Sequence, residues 1–122
     1  MNINKFTQNS MQAVQNCEKI AYDYGNQELA QEHLLYALVT QDDSLILKLL
    51  EKMSIQGSLF INRVEELLNK RPKVQGGQVF VGQDLNNALI HAEDEAKQMG
   101  DHRYAFVLVL VRRLHRMIFH IS

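Results

Sequence analysis

The sequence predicts an all-α domain made of two pseudo-repeated helical units, the second altered or truncated after Asp101. Three observations lead there. Apolar residues recur at the i, i+3, i+4 spacing of amphipathic helices in several blocks. Helix-stopping residues, Gly25, Pro72, Gly76, Gly77 and Gly100, separate those blocks. Moving 75 positions forward from Phe6, Ser10, Ala13, Val14, Cys17, Ala21 and Gly25 lands on Val81, Leu85, Ala88, Leu89, Ala92, Ala96 and Gly100. One small-and-apolar pattern is thus written twice, as expected of stacked helical repeats.

The first element spans residues 7–24, with Ser10, Ala13, Val14, Cys17, Ile20, Ala21 and Tyr24 on one stripe. Thr7 is its expected N-cap, with Phe6 folding back as a hydrophobic staple. Gly25 is its C-cap, because glycine enters the left-handed region without steric cost. Glu32 to Thr40 reads as a compact apolar helix, Asp43 or Ser44 caps a third through Leu50 to Met53, and Ser58 to Lys70 makes a fourth with Phe60, Ile61, Val64, Leu67 and Leu68 inward. Pro72 ends this unit. After the KVQGGQVF connector, Gly82 takes the cap position and a helix runs from Gln83 to Met99, with Leu85, Ala88, Leu89, Ala92 and Ala96 inward and Glu93–Lys97 as a surface ion pair. Gly76 and Gly77 suit a connector, and alanine there is costly only where φ is positive. The organisation is a single domain over 1–122: repeat one at 1–70, connector at 71–79, partial repeat two at 80–101 and a divergent tail at 102–122.

At 122 residues, 46% hydrophobic and 22% charged, the chain suits one domain with one core. Residues 1–101 carry all 14 acids but only 9 of the 13 Lys and Arg, so the body offers no basic footprint for nucleic acid. Cys17 is the only cysteine, which excludes an intrachain disulfide and a Cys-based zinc site. The first twenty residues lack the apolar block of a signal peptide, and the longest apolar run, Tyr104 to Val111, is too short for a membrane span. A cytoplasmic protein without membrane attachment is expected. No cofactor, metal or catalytic residue is expected either. His91, His102, His115 and His120 form no cluster, Cys17 lies on the buried stripe as a small core residue, and the Glu93, Asp94, Glu95 run reads as a solvated helix face. The only adjacent glycines, Gly76 and Gly77, are followed by Gln78, Val79 and Phe80 and make no phosphate-binding loop.

FTQNSMQAVQNCEKIAYDYGNQELAQEHLLYALVTQDDSLILKLLEKM, followed by RPKVQGGQVFVGQDLNNALIHAEDEAKQMGD, resembles the N-terminal domain of Clp-family AAA+ chaperones, and within that family the ClpB-type disaggregase. The resemblance covers residues 1–101 and implies an orthogonal helical bundle of pseudo-twofold repeats. It implies a role in protein quality control, in which the domain sits on a hexameric ATPase ring and helps capture unfolded or aggregated polypeptide. The alternative it allows is a domain that docks a folded adaptor protein. Matched to family positions, Thr7, Leu85, Leu89 and Asp101 are the candidate substrate-binding residues. Each has a plainer reading: Thr7 as a helix cap, Leu85 and Leu89 as core, Asp101 as a loop carboxylate. His33, in the EHL sequence, is expected to pack and hydrogen-bond at a helix start, with no metal role. The acidic partner that the family carries six residues after Asp101 is replaced by Val107.

From His102 onward four arginines appear and no acid. Loss of the repeat together with a change in composition is what a shifted reading frame or truncated gene would produce, the alternative being a variant tail that forms a membrane-surface or partner-binding helix. The frame-shift reading expects a folded 1–70 and rapid amide exchange over 100–122.

Overall fold

A computed structural model describes residues 3–42, 44–74 and 76–99, with Arg112 and Arg116 beyond them. Asp101 and the rest of the segment 102–122 lie outside the described residues. Five helices and two very short strands follow in the order α1 (Ile3–Asp23), β1 (Glu28–Leu29), α2 (Gln31–Val39), α3 (Leu45–Lys52), α4 (Gly57–Lys70), β2 (Phe80–Val81) and α5 (Gln83–Met99). The all-α class stands, with a two-residue sheet added to it.

Helix α2 is the centre. Glu32, His33, Leu34, Leu35, Ala37, Leu38 and Val39 are all buried, and α1, α3, α4 and α5 each pack against it. A helix enclosed by four neighbours has no solvent face to keep polar, which is why EHLLYALV shows so little amphipathic contrast. Leu34, Leu35, Leu38, Val39, Val64 and Leu68 are the largest apolar side chains fully removed from water, each gaining roughly 1.5–3 kcal/mol on burial. Tyr24 and Tyr36 close one end of this core edge to face, their ring centroids 5.8 Å apart.

The helix ends follow from local chemistry. Gly25, at φ +72°, donates from its N–H to the Tyr22 carbonyl, and the Asn26 N–H reaches back to Ala21, the pair of bonds that defines a Schellman cap. The same pair recurs after α3, where Ser54 donates to Glu51 and Ile55 to Leu50, although here a serine holds the left-handed position at φ +65°. Of the two residues able to cap α3, Ser44 has the role: its Oγ accepts from the Leu47 N–H at 3.1 Å and donates to the Leu38 carbonyl at 2.7 Å.

Two expectations about local structure need correction. Helix α1 begins at Ile3, four residues before Thr7, so Thr7 lies inside the helix and is not its N-cap. No glycine or proline stands between Ile3 and Thr7 to stop the ladder, and capping preference alone does not end a run that can continue. On the expected α1 stripe, Ala13, Cys17 and Ala21 are buried whereas Val14 is exposed; the buried seam is narrower than the run of apolar letters. Directly after the 71–79 connector, where only a helix from Gln83 was expected, stands β2. It pairs with β1 in parallel, Glu28 opposite Phe80 and Leu29 opposite Val81. Two residues are too few to show a strand period, although Val79, Phe80 and Val81 are the residue types strands favour.

Candidate functional site

The chain leaving α1 and the chain leaving α4 run side by side over residues 24–30 and 71–82, and their bonding makes the seam between the two units. Along it the Val74 N–H donates to Gly25 O (2.8 Å), the Phe80 N–H to Gln27 O (2.9 Å) and the Gly82 N–H to Leu29 O (2.8 Å). Lys73 Nζ adds a bond to Tyr24 O at 3.0 Å. Gly82 is required by this closeness: a Cβ there would stand 2.8 Å from the Leu29 carbonyl oxygen and would overlap the Glu28 side chain.

Beneath the seam lies a buried polar chain. His33, with no exposed surface, accepts at Nδ1 from the Ala30 N–H (2.9 Å), so its proton resides on Nε2, which donates to Asn26 Oδ1 (2.9 Å). Asn26 Nδ2 in turn donates to the Pro72 carbonyl at 3.3 Å. One imidazole thus links the start of α2, the loop after α1 and the residue that ends the first unit. Burial, helped by the Arg71 guanidinium, holds the His33 pKa down at about 4, against the opposing pull of Glu32. Arg71 itself is clamped between two carboxylates, donating from Nε to Glu32 and lying 3.9 Å from Glu28 through Nη1. The expectation that His33 hydrogen-bonds at a helix start is met.

Above this polar chain the seam opens into two adjoining clefts. One, of about 150 Å³, is lined by Asn26, Gln27, Glu28, Arg71, Pro72, Val74 and Phe80. The other, of about 360 Å³, shares Asn26, Gln27 and Val74 and adds Tyr22, Gly25, Gly76, Gly77 and Val79. Apolar side chains stand in solvent around them: Tyr22 is 78% exposed, Phe80 51% and Val74 47%. Gly76, at φ +69°, has open space around it, so its glycine serves the backbone turn; Gly77 lacks positive φ, and an added Cβ would meet only the flexible end of Gln27.

The residues singled out from the sequence are scattered. Thr7 lies on α1. Leu85, on α5, is buried at 4% exposure in the core and Leu89 packs half-buried against it; Asp101 is outside the described residues. The structure therefore brings together Tyr22, Val74 and Phe80, which sequence reasoning passed over. For Val74 and Phe80 the signal was the apolar content of a connector that had no helix in which to hide it; Tyr22, near the end of α1, carried none. Titratable chemistry is muted: burial pushes the Cys17 thiol up to about 12, His33 is neutral near pH 7, and no three His, Cys, Asp or Glu among the described residues are placed to hold a metal. No helix among the described residues is long and apolar enough to cross a membrane. Glu95, expected on a purely solvated face, is half-buried and is met at 2.7 Å by Arg112.

The described residues form a helical bundle strapped along a seam, and its sequence places it in a family. The chain belongs to the Clp repeat N-terminal domain family, whose model matches residues 5–111. That match passes ten residues beyond Asp101, where the sequence resemblance noted above stops. Among curated relatives, the chain is 42% identical over 106 residues to the chaperone protein ClpB of Nitratidesulfovibrio vulgaris, with 83% of this chain and 12% of the relative covered. The ClpB chaperones of Rickettsia bellii, at 36% over 104 residues, and Porphyromonas gingivalis, at 35% over 101, cover the same shares. The chain thus spans about one-eighth of the length of the curated relatives it matches.

Proposed function

We propose that this chain is the substrate-engaging N-domain of an ATP-dependent, ClpB-like protein disaggregase in the cytoplasm, and that it holds exposed apolar segments of unfolded or aggregated polypeptide in the seam. It works by binding and not by catalysis, with ATP-driven threading supplied by the hexameric ring of the parent family. The observation that carries this reading is the exposed rim of Tyr22, Val74 and Phe80 around two clefts, supported by kinship with chaperones. A few half-exposed side chains, each worth at most roughly 1.5–3 kcal/mol when covered, leave little surplus after the cost of association. Capture is therefore weak and reversible, which suits a domain that must pass its substrate on.

The test is a fluorescence titration of the chain with a permanently unfolded protein and with a folded candidate adaptor. Binding of the unfolded protein, weakened about tenfold by Phe80→Ser, supports the reading. Preference for the folded partner with no effect of Phe80→Ser would favour adaptor docking. Thr7→Ala, Leu89→Ser and Asp101→Asn examine the positions that the family resemblance suggests, and a greater loss in Leu89→Ser than in Phe80→Ser would move the site to α5. Incubation with ATP is expected to release no phosphate.

A further inference from the structure

Among the described residues, the two-stranded sheet has an unused edge. In a parallel pair, a strand's main-chain groups turn alternately toward and away from the neighbour. Phe80 donates to Gln27, the residue before β1, and Gly82 to Leu29, which directs the Val81 N–H and carbonyl outward, and no backbone group of a described residue outside the strand pair bonds to either. Phe80 and Val81 are both about half exposed, at 51% and 52%, and alternation sets them on opposite faces of the strand. An open edge bearing apolar side chains on both faces is a template for another strand. Glu28, on β1, is already engaged by Arg71 at 3.9 Å, whereas Asp84 is exposed in the first turn of α5, just beyond the strand.

We propose that the outer edge of β2 takes up an extended stretch of substrate polypeptide as a third strand. The incoming chain bonds to the Val81 N–H and carbonyl, lays alternate apolar side chains over Phe80 and Val81, and carries Lys or Arg in a flanking position beside Asp84. Charge argues for this occupant over a second copy of the same edge, which would bring Asp84 toward its own kind. Main-chain bonding is indifferent to sequence and the apolar contacts are loosely selective, so the edge favours unfolded chains as a class. Strand addition rests on the reading of the chain as a polypeptide-binding N-domain and supplies its mode of contact.

The experiment uses a fluorescent peptide with a core of alternating Val and Thr and Lys at both ends, together with two versions N-methylated at alternate residues, one for each register. Methylation removes donors from one side of an extended strand while keeping the side chains. Fluorescence anisotropy with the whole chain is expected to show binding of the unmodified peptide and about tenfold weaker binding of one methylated version only. Val81→Pro, which deletes an N–H that β1 does not use, is expected to weaken the unmodified peptide similarly, with folding checked by circular dichroism. Equal binding of all three peptides would overturn strand addition while leaving polypeptide capture intact. Failure of all three peptides and of an unfolded protein to bind would overturn both.

Discussion

Helices α1 and α5 stand 75 residues apart in the chain and bury the same narrow stripe, Ala13 and Cys17 on one and Ala88 and Ala92 on the other. Beyond that stripe they diverge. Helix α1 lies along α2 over a long contact, while α5 meets α2 more lightly. Val14 on α1 is left in solvent, and its counterpart Leu89 is half-buried against the core. Small residues let α1 approach closely; α5 adds the bulk of Leu85 and Leu89 to fill its side of the junction. The repeat therefore preserves the part of the pattern that sets helix approach and varies the part that fills volume.

The largest expected effect lies at the helix both copies share. Leu38→Ala in α2 is expected to cost about 2–5 kcal/mol in urea unfolding, because the side chain is only 1% exposed and α2 is held on four sides. A loss below about 1 kcal/mol would mean that α2 is not the common centre.

The seam is tested by acid. His33 is neutral in the fold, its pKa lowered to about 4 from 6.5, so the unfolded chain binds the proton more readily. Its contribution to stability is fully present above pH 6.5 and is lost as pH falls toward 4, by roughly 2–4 kcal/mol in total. His33→Gln is expected to flatten the dependence of unfolding free energy on pH across that window. An unchanged slope would show that the imidazole is not the titrating group.

The copies themselves separate under overpacking. Ala13→Leu is expected to cost about 1–3 kcal/mol, and Ala88→Leu less, since α5 rests more lightly on the core. Equal costs would mean that both helices dock alike. A smaller effect concerns the matched helix ends: Ser54→Gly is expected to stabilise by about 0.4–1 kcal/mol, because Ser54 occupies the left-handed position that Gly25 fills in the same cap. Thermal unfolding of the single variant is enough to check it.

Much of this architecture was legible in the sequence. Gly25, Pro72 and Gly82 mark where the chain turns because their backbone chemistry is local, and helix α5 has the boundaries that periodicity gave it. Ser44 was one of two possible caps, and only its bond to Leu47 distinguishes it from Asp43. The start of α1 was misplaced because a good capping residue inside a helix leaves the same letters as one at its end. The sheet was invisible because its pairing joins residues 52 apart through strands of two residues, below any period. The candidate site was hidden for a related reason. Tyr22 lies on α1 and Val74 and Phe80 on the stretch after α4, far away in the sequence, and only the straps along the seam bring them near one another. The Clp N-domain kinship, carried by the FT start, the EHL helix and the GGQVF connector, was readable because those motifs are local.

The central claim is that the strapped seam, and not the α5 ridge, is where polypeptide is held. A nuclear magnetic resonance titration of the isotope-labelled chain with an unfolded protein tests it most directly. Saturating amide shifts are expected over residues 22–29 and 74–82, with Leu85 and Leu89 little moved. Shifts centred on α5, with the amides of Tyr22, Val74, Phe80 and Val81 unchanged, would contradict it.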